Sequence, residues 1–336
     1  MQRGSPRRPA AVKTNGHQSA QTAPGGGTLA AAFEPAYRRL FEAGELEERV
    51  RQAWARLEDC DLCAHACHVN RFETIKGAVC RTGERAIVAS FGPHFGEESP
   101  LVGLRGSGTI FFSLCNLRCQ FCQNHDISQW GKGPGVDAPA LAAMMLHLQS
   151  RGCHNVNLVS PSHAVPQILA ALSIAAKNGL HIPVVYNTGG YDGMTELELL
   201  DGVVDIYMPD MKYADESRAR TYSKVRNYPA INQSAVREMH RQVGDLALDD
   251  QGLARRGLLV RHLVMPGGIA GTAEIARFLA EEISLHTYLN LMAQYRPSYR
   301  AHLFPVIDRR PTQAEYAEAL RVAEEAGLYR FDHRQA

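Results

Sequence analysis

Three cysteines lie within eight residues of one another, at Cys115, Cys119 and Cys122, directly after an apolar stretch. Thiolates bind zinc and iron–sulfur clusters, and four of them normally close either kind of site. Three thiolates would leave one position of the metal centre open to a ligand from outside the protein, which is the property of a catalytic site. The alternative is a zinc site completed by a distant residue, for instance His125 or Cys153.

A second group of cysteines precedes the first and has the spacing C-x2-C-x3-C-x12-C. Its members are Cys60, Cys63, Cys67 and Cys80. Four thiolates this close in sequence can surround one metal ion or one cluster. The group is therefore interpreted in one of three ways. It is a zinc knuckle that stabilises a segment without a hydrophobic core of its own, the ligand set of a second iron–sulfur cluster, or a group of free thiols. His65 and His68 lie inside the group and could replace a cysteine.

The composition excludes several classes of protein. The chain has 336 residues, with 36 lysines and arginines against 35 aspartates and glutamates, so no general basic field indicates nucleic-acid binding. No apolar run approaches the roughly 18 residues that a membrane span needs. No apolar segment follows the arginines near the N-terminus, so no secretory signal is expected. We expect a cytoplasmic protein, in which thiols stay reduced and clustered cysteines indicate metal binding or catalysis.

Six short apolar segments alternate with segments of helical period. The predicted strands are 108–114, 155–160, 182–187, 204–209, 257–266 and 287–293. Helices are predicted at 139–151, 164–177 and 272–283, where apolar residues recur on one face. Strands that alternate with helices indicate βαβ units and a parallel sheet. The predicted fold class is α/β, and six strands suit an open, incomplete barrel or a doubly wound sheet.

The domain organisation follows from shifts in composition. The predicted divisions are a disordered tail at 1–33, a helix with a cysteine-rich metal-binding segment at 34–105, a core at 106–300 and a C-terminal helix and strand extension at 301–336. The tail is rich in glycine, alanine, proline and serine, which cannot bury a core. In the second division, Leu46, Val50 and Leu57 share one face of a charged helix.

Polar clusters follow all six predicted strands. They read CNLRCQFC, SPSH, NTGGYD, MPDMK, MPGG and QYRP in chain order. The carboxyl ends of parallel strands meet at one edge of a sheet, where active sites of such folds lie. This convergence predicts an enzyme.

The segment CNLRCQFC resembles the signature of the radical SAM superfamily, C-x3-C-x-aromatic-C, on the loop after the first strand of a partial barrel. The resemblance implies a partial (β/α)6 TIM-like barrel in which Cys115, Cys119 and Cys122 hold a [4Fe–4S] cluster. It implies that S-adenosylmethionine binds the fourth iron and is reductively cleaved to a 5′-deoxyadenosyl radical. It also implies an electron donor such as flavodoxin or ferredoxin.

Within the superfamily, the stretch from Cys60 to Leu328 is most similar to the PflX-like branch and to the pyruvate formate-lyase activating enzyme. Phrases such as SFGPHFGEESPLVG, MPDMKYAD and LLVRHLVMPGG carry this resemblance. It implies a protein substrate in which a backbone glycine becomes a glycyl radical. The alternatives are radical modification of a peptide or metabolite, and a zinc-stapled binding module without catalysis.

The resemblance also implies candidate contacts to S-adenosylmethionine. They are Ser160, Ser162, His163, Asn187, Asp210 and Lys212. The first three stand where activating enzymes have a Gly-Gly-Glu stretch that meets the methionyl amine. Asn187 stands in the place of the family's ribose contact, and the segment DMK matches the family's Asp-x-Lys. Alternatively, His163 is structural and Asp210 with Lys212 is a simple ion pair. Arg261 and His262, at the end of the fifth strand, are placed outside the site.

Overall fold

The six predicted strands form the parallel part of one mixed sheet in the computed structural model, which describes residue 1 and residues 33–332. Within these residues the strands are β1 (Ala86–His94), β2 (Ser107–Phe112), β3 (Gly135–Val136), β4 (Val156–Val159), β5 (Val184–Thr188), β6 (Ile206–Pro209), β7 (Ala247–Leu248), β8 (Ala254–Leu263), β9 (Tyr288–Met292) and β10 (Arg330–Phe331). The predicted tail, apart from its first and last positions, lies outside the described residues.

The strand order is β10-β9-β8-β6-β5-β4-β2-β1-β3, with β7 added beside β8. All neighbours from β2 to β10 in this order pair in parallel. In the described part of the chain no pairing joins β3 to β10, so the sheet does not close on itself. The predicted α/β fold is confirmed, and its mostly parallel sheet is consistent with a partial TIM-like barrel.

Helices fill the connections between the parallel strands. In the described residues they are α1 (Ala36–Glu42), α2 (Glu45–Ala55), α3 (Ser99–Val102), α4 (His125–Ser128), α5 (Ala138–Ser150), α6 (Val165–Lys177), α7 (Met194–Leu200), α8 (Glu216–Ser223), α9 (Tyr228–Val243), α10 (Thr272–Phe278) and α11 (Gln313–Glu325). The apolar faces of α5 and α6, including Leu141, Leu148 and Leu172, are completely buried. Burial of these faces joins the helical layer to the sheet. None of the described helices combines the length and the apolar character needed to cross a bilayer.

Two predicted helices differ from the observed ones. The single helix expected near the N-terminus is broken into α1 and α2, because Gly44 between them adopts a left-handed conformation with φ of 74°. The helix expected over 272–283 is α-helical only to Phe278. It continues as a π-helical turn, Leu279–Ile283, in which the Ser284 amide donates to the Leu279 carbonyl at 2.8 Å.

Strand β1 was not predicted, because its sequence AIVASFGPH contains polar residues, a glycine and a proline. It pairs antiparallel with β2 along most of its length and with β3 at its start. The segment after the N-terminal cysteine group, Cys60 to Cys80, therefore joins the sheet instead of remaining a loop. This arrangement brings the N-terminal cysteines close to the end of β2, where the cysteine loop at 115–122 begins.

Candidate active site and the N-terminal cysteine site

A cavity of about 320 Å³ opens at the carboxyl ends of the parallel strands. The predicted site residues that line it are Cys115, Cys119, Cys122, Ser160, Asn187, Asp210 and Lys212. They come from the ends of β2, β4, β5 and β6, which the parallel topology brings to one edge. Ser162 and His163 do not line this cavity.

The cysteine loop after β2 is fixed by backbone contacts to its surroundings. Leu114 adopts φ of 64°, a conformation that non-glycine residues rarely take, and its amide donates to the Ile127 carbonyl at 3.2 Å. The amide of Arg118 donates to the Ser223 carbonyl at 3.1 Å. These contacts turn the chain sharply after the strand, so that the three cysteines face the cavity.

Each thiol of the loop has a polar neighbour. The Cys119 Sγ lies 3.0 Å from the Ser223 Oγ, the Cys122 Sγ lies 3.1 Å from the Ser128 Oγ, and the Leu117 amide donates to the Cys115 Sγ at 3.4 Å. Burial raises the pKa of Cys119 to about 12, against the opposing charge of Lys212, and burial also raises the pKa of Cys115. Thiols in such surroundings lose their protons when a metal centre binds them. The donor set therefore fits an iron–sulfur cluster.

A buried ion triad forms another part of the cavity wall. The carboxylate of Asp210 accepts from Arg261 Nε at 2.8 Å and from the Lys212 ammonium. Burial alone would raise the pKa of Asp210, but the charges of Arg261 and Lys212 outweigh it and hold that pKa below its usual range. Arg261 also approaches the Glu98 carboxylate at 3.8 Å. This wall carries one carboxylate between two cations. Its cations can bind a carboxylate of a ligand, and its carboxylate can bind an ammonium group.

Arg261 corrects the prediction that placed it outside the site. Neighbouring residues of a strand point to opposite faces of the sheet. In β8, Arg261 faces the cavity, whereas His262 is buried behind it with its Nδ1 2.6 Å from the Met211 carbonyl oxygen. Glu98 was not predicted as a site residue. The sequence before α3 does not indicate that this residue contacts Arg261. The sequence signal for Arg261 was its position at a strand end.

Ser162 is placed away from the cavity and corrects an expected cofactor contact. Its side chain is 1% exposed and donates to the Asp192 carboxylate at 2.6 Å. Thr188 donates to the same carboxylate at 2.8 Å, and the Tyr186 hydroxyl donates to Glu196 at 3.0 Å. Ser162 therefore belongs to a buried polar network beneath the strand ends, and it fixes the network instead of touching a ligand.

Glu196→Gln is expected to stabilise the protein at neutral pH. Burial, followed by the charge of Asp192, raises the pKa of Glu196 well above its usual value, so the folded state keeps this group protonated. The unfolded chain ionises it above a pKa of about 4.3. The wild type therefore loses stability as the pH rises above that value, by up to about 1.4 kcal/mol per pH unit, and the glutamine variant does not.

Urea unfolding between pH 4 and pH 8 checks this expectation. The difference in unfolding free energy between Glu196→Gln and the wild type should grow with pH. Glu198→Gln, an exposed change on the same helix, is the control and should leave the pH dependence unaltered. A constant difference between Glu196→Gln and wild type across this range would contradict a protonated Glu196.

The N-terminal cysteines surround a second, smaller cavity. Its walls include Cys60, Cys63, Cys67, Cys80, Arg71 and His163. Arg71 Nη1 lies 3.7 Å from the Cys60 Sγ, and the Val79 amide donates to the Cys67 Sγ at 3.5 Å. Burial raises the pKa of Cys63 to about 12, and the neighbouring cysteines add to this effect. The chain thus brings the four predicted ligands together, although they are spread over 21 positions of the sequence.

The three histidines near this cavity have different orientations. His65 Nε2 lies 2.8 Å from the Asn116 carbonyl oxygen, and His68 Nδ1 lies 3.0 Å from the Asp59 carboxylate. These two, which the spacing suggested as replacement ligands, bond elsewhere. His163, which was assigned to the cofactor pocket, faces the N-terminal cysteines instead. The sequence placed His163 correctly after β4, but its side chain lines the cavity of the N-terminal cysteines and not the cavity at the strand ends.

Comparisons with known proteins bear on the site at the strand ends. The model of the Radical SAM superfamily matches residues 109–279, just over half of the chain. The protein MJ0674 of Methanocaldococcus jannaschii is 35% identical over 293 residues, which cover 84% of this chain and 79% of that protein.

Solved structures with a similar fold share little sequence with this chain. SuiB of Streptococcus suis, bound to precursor peptide SuiA, is 11% identical with a TM-score of 0.45, and the match covers 65% of this chain and 46% of SuiB. HydG, a maturase of the [FeFe]-hydrogenase, is 11% identical with a TM-score of 0.44, over 87% of this chain and 65% of HydG. The chain thus spans less than two thirds of either protein.

Proposed function

This chain belongs to the radical SAM superfamily, and we propose that it takes a hydrogen atom from a protein backbone, as a glycyl-radical activating enzyme does. The superfamily implies a [4Fe–4S] cluster and S-adenosylmethionine, which together supply a 5′-deoxyadenosyl radical when bound. The observation that carries the proposal is that Cys115, Cys119 and Cys122 share one cavity with the polar ends of four neighbouring strands. The three thiols would hold the cluster.

The remaining cavity residues would bind and orient S-adenosylmethionine. Lys212 and Arg261 offer cations to its carboxylate, and Asp210 offers an anion to its ammonium group. Ser160 and Asn187 offer hydrogen bonds from the ends of β4 and β5. The apolar part of the wall, which includes Phe121 and Leu263, would keep water away from a reactive intermediate.

The rim of the cavity supports a protein substrate. Trp130 is 61% exposed, and its ring meets the His125 ring edge to face at 4.7 Å. Tyr299 stacks on the other side of His125 at 4.9 Å. His125 follows directly on Asn124, which lines the cavity. Exposed aromatic side chains that are held rigid by their neighbours are typical anchors for a polypeptide partner.

Deuterium transfer tests this proposal. The reconstituted, reduced enzyme is incubated with S-adenosylmethionine and pyruvate formate-lyase that carries dideuterated glycine. Deuterium should appear in 5′-deoxyadenosine, and Trp130→Ala should reduce the transfer without reducing uncoupled cleavage. Leu104→Ala, which changes another exposed apolar side chain before β2 at the opposite edge of the sheet, is the control. If 5′-deoxyadenosine takes no deuterium from pyruvate formate-lyase but takes it from a labelled peptide or metabolite, the activase assignment is wrong and that peptide or metabolite is the substrate class.

We also propose that the N-terminal cysteines hold a second iron–sulfur cluster and not zinc. The four cysteines line one cavity, as the three cysteines of the loop at 115–122 line another, and the superfamily implies a cluster at that loop. Iron–sulfur clusters are held mainly by cysteine thiolates, and the N-terminal cavity offers four of them.

The double variant Cys60→Ala with Cys63→Ala is expected to lose about half of the bound iron and to unfold at a lower temperature, because the N-terminal loops lose their central support. Iron and sulfide analysis with thermal unfolding measures both effects. The cluster at residues 115–122 should still assemble, and Cys153→Ala should leave the iron content unchanged. Unchanged metal content in the double variant would show that the N-terminal cysteine group binds no metal.

Flavodoxin or ferredoxin is proposed as the electron donor. Arg81 follows the N-terminal cysteines and Arg118 lies within the loop at 115–122, and burial together with the charge of Arg81 lowers the pKa of Arg118. Arg118 donates to the Val79 carbonyl at 2.6 Å, which fixes it beside the N-terminal site. A cationic surface at this position would attract an acidic carrier protein.

A further inference from the structure

His163 lies between the two cysteine groups and belongs to neither by sequence. It is on the 3₁₀ turn Ser162–Ala164 that follows β4, and 1% of its surface is exposed. Its ring lines the cavity of the N-terminal cysteines. A polar ring that is completely buried beside four thiols requires a partner for each of its nitrogens.

The Ser113 carbonyl determines which nitrogen carries the proton. His163 Nε2 lies 2.8 Å from the Ser113 oxygen. A carbonyl oxygen can only accept, so Nε2 donates and the neutral ring bears a lone pair on Nδ1. Burial, followed by the charge of Arg71, lowers the pKa of His163 to about 3 and keeps the ring neutral.

The Nδ1 lone pair is buried and has no hydrogen-bond partner. Arg71 is the nearby cation, but its nitrogens donate to the carbonyls of Thr82 and Gly83 and to the Cys60 sulfur. The four thiols could donate to Nδ1 only while they are protonated. Once a metal centre has displaced those protons, none of the four cysteines can donate to Nδ1.

We infer that Nδ1 of His163 is a ligand of the metal centre in the N-terminal cysteine site, an inference that rests on the proposed second centre. Histidines that bind metals usually donate their other ring nitrogen to a carbonyl or carboxylate, which is the contact that Ser113 provides. Five donors then face one centre, which takes four. Cys60, Cys63 and Cys80 are buried while Cys67 is partly exposed, so Cys67 is assigned as the spare thiol.

Pulsed electron paramagnetic resonance tests the assignment, because it detects a nitrogen ligand directly in protein that keeps His163. The full-length variant with alanine at Cys115, Cys119 and Cys122 carries only the N-terminal centre. It is reconstituted with iron and sulfide, reduced, and prepared with ¹⁴N-histidine or ¹⁵N-histidine. A strong nitrogen coupling that changes with the isotope is expected. It should vanish in His163→Cys, which offers a thiolate instead, and persist in His65→Gln, whose ring bonds elsewhere.

The outcomes separate this inference from the proposals on which it rests. Bound iron without a strong nitrogen coupling would overturn the histidine ligand and leave the second cluster in place. Absence of iron from the N-terminal site would overturn both. Neither result bears on cleavage of S-adenosylmethionine, which depends on the loop at 115–122.

Discussion

Alanine in place of Cys115, Cys119 or Cys122 is expected to reduce the cleavage of S-adenosylmethionine below detection. Each substitution removes one of three thiolates from a cluster that has no spare protein ligand. In the reduced wild type, S-adenosylmethionine should perturb the resonance signal of the cluster, because its amino and carboxylate groups enter the coordination of the open iron. Slow release of 5′-deoxyadenosine and methionine should follow without substrate.

Chromatography of 5′-deoxyadenosine and resonance spectra of the anaerobic protein measure these effects. Cys153→Ala is the matched control, because this cysteine is buried and does not line the cavity. It should leave both signals intact. A wild-type protein that carries the cluster but neither binds nor cleaves S-adenosylmethionine would refute the enzymatic function.

Asp210→Ala is expected to lower the free energy of unfolding by about 3 to 5 kcal/mol, because it leaves the buried cations of Lys212 and Arg261 without their shared anion. Lys212→Met should cost much less, since Asp210 keeps its contact with Arg261 and methionine fills the same space. Urea unfolding of both variants measures the difference. Equal losses in the two variants would show that the triad does not act as one charge-balanced unit.

The variant Lys212→Met also tests the binding of S-adenosylmethionine separately from the stability of the protein. Lys212→Met should weaken S-adenosylmethionine binding at least tenfold, because the carboxylate of the ligand loses one of its two proposed cations, while the iron content stays unchanged. Calorimetric titration of the anaerobic protein provides the measurement. Unaltered binding and cleavage in Lys212→Met would make Asp210 and Lys212 a structural ion pair.

The parallel strands and their helices were predictable because their apolar residues repeat with a clear period. Helices α5 and α6 were placed within one residue at each end, since apolar residues recur at helical spacing over three turns in both. Strand β1 was not predictable in this way. Its Gly92 and Pro93 weaken the local preference, and its stability comes from pairing with β2, which is a contact distant in sequence.

The candidate site was predictable where a strand end fixes the direction of a residue. Asn187 and Asp210 lie on or beside β5 and β6, and both face the cavity. Ser162 and His163 lie on a tight turn, where consecutive side chains diverge, so one meets Asp192 and the other meets the N-terminal cysteines. Whether Arg261 faces the cavity depends on the register in which β8 pairs with β9, and the sequence alone does not specify that register.

An open barrel has two sheet edges, and unpaired edges invite other chains to add a strand. Here the terminal strands β3 and β10 are each two residues long. Pro134, which has no amide hydrogen, precedes β3, and Arg330 adds a charge on β10. Strands β3 and β10 themselves therefore offer a second copy too little backbone for edge-to-edge aggregation. This protection does not depend on the metal centres, so it also covers newly made chains that have yet to acquire their iron.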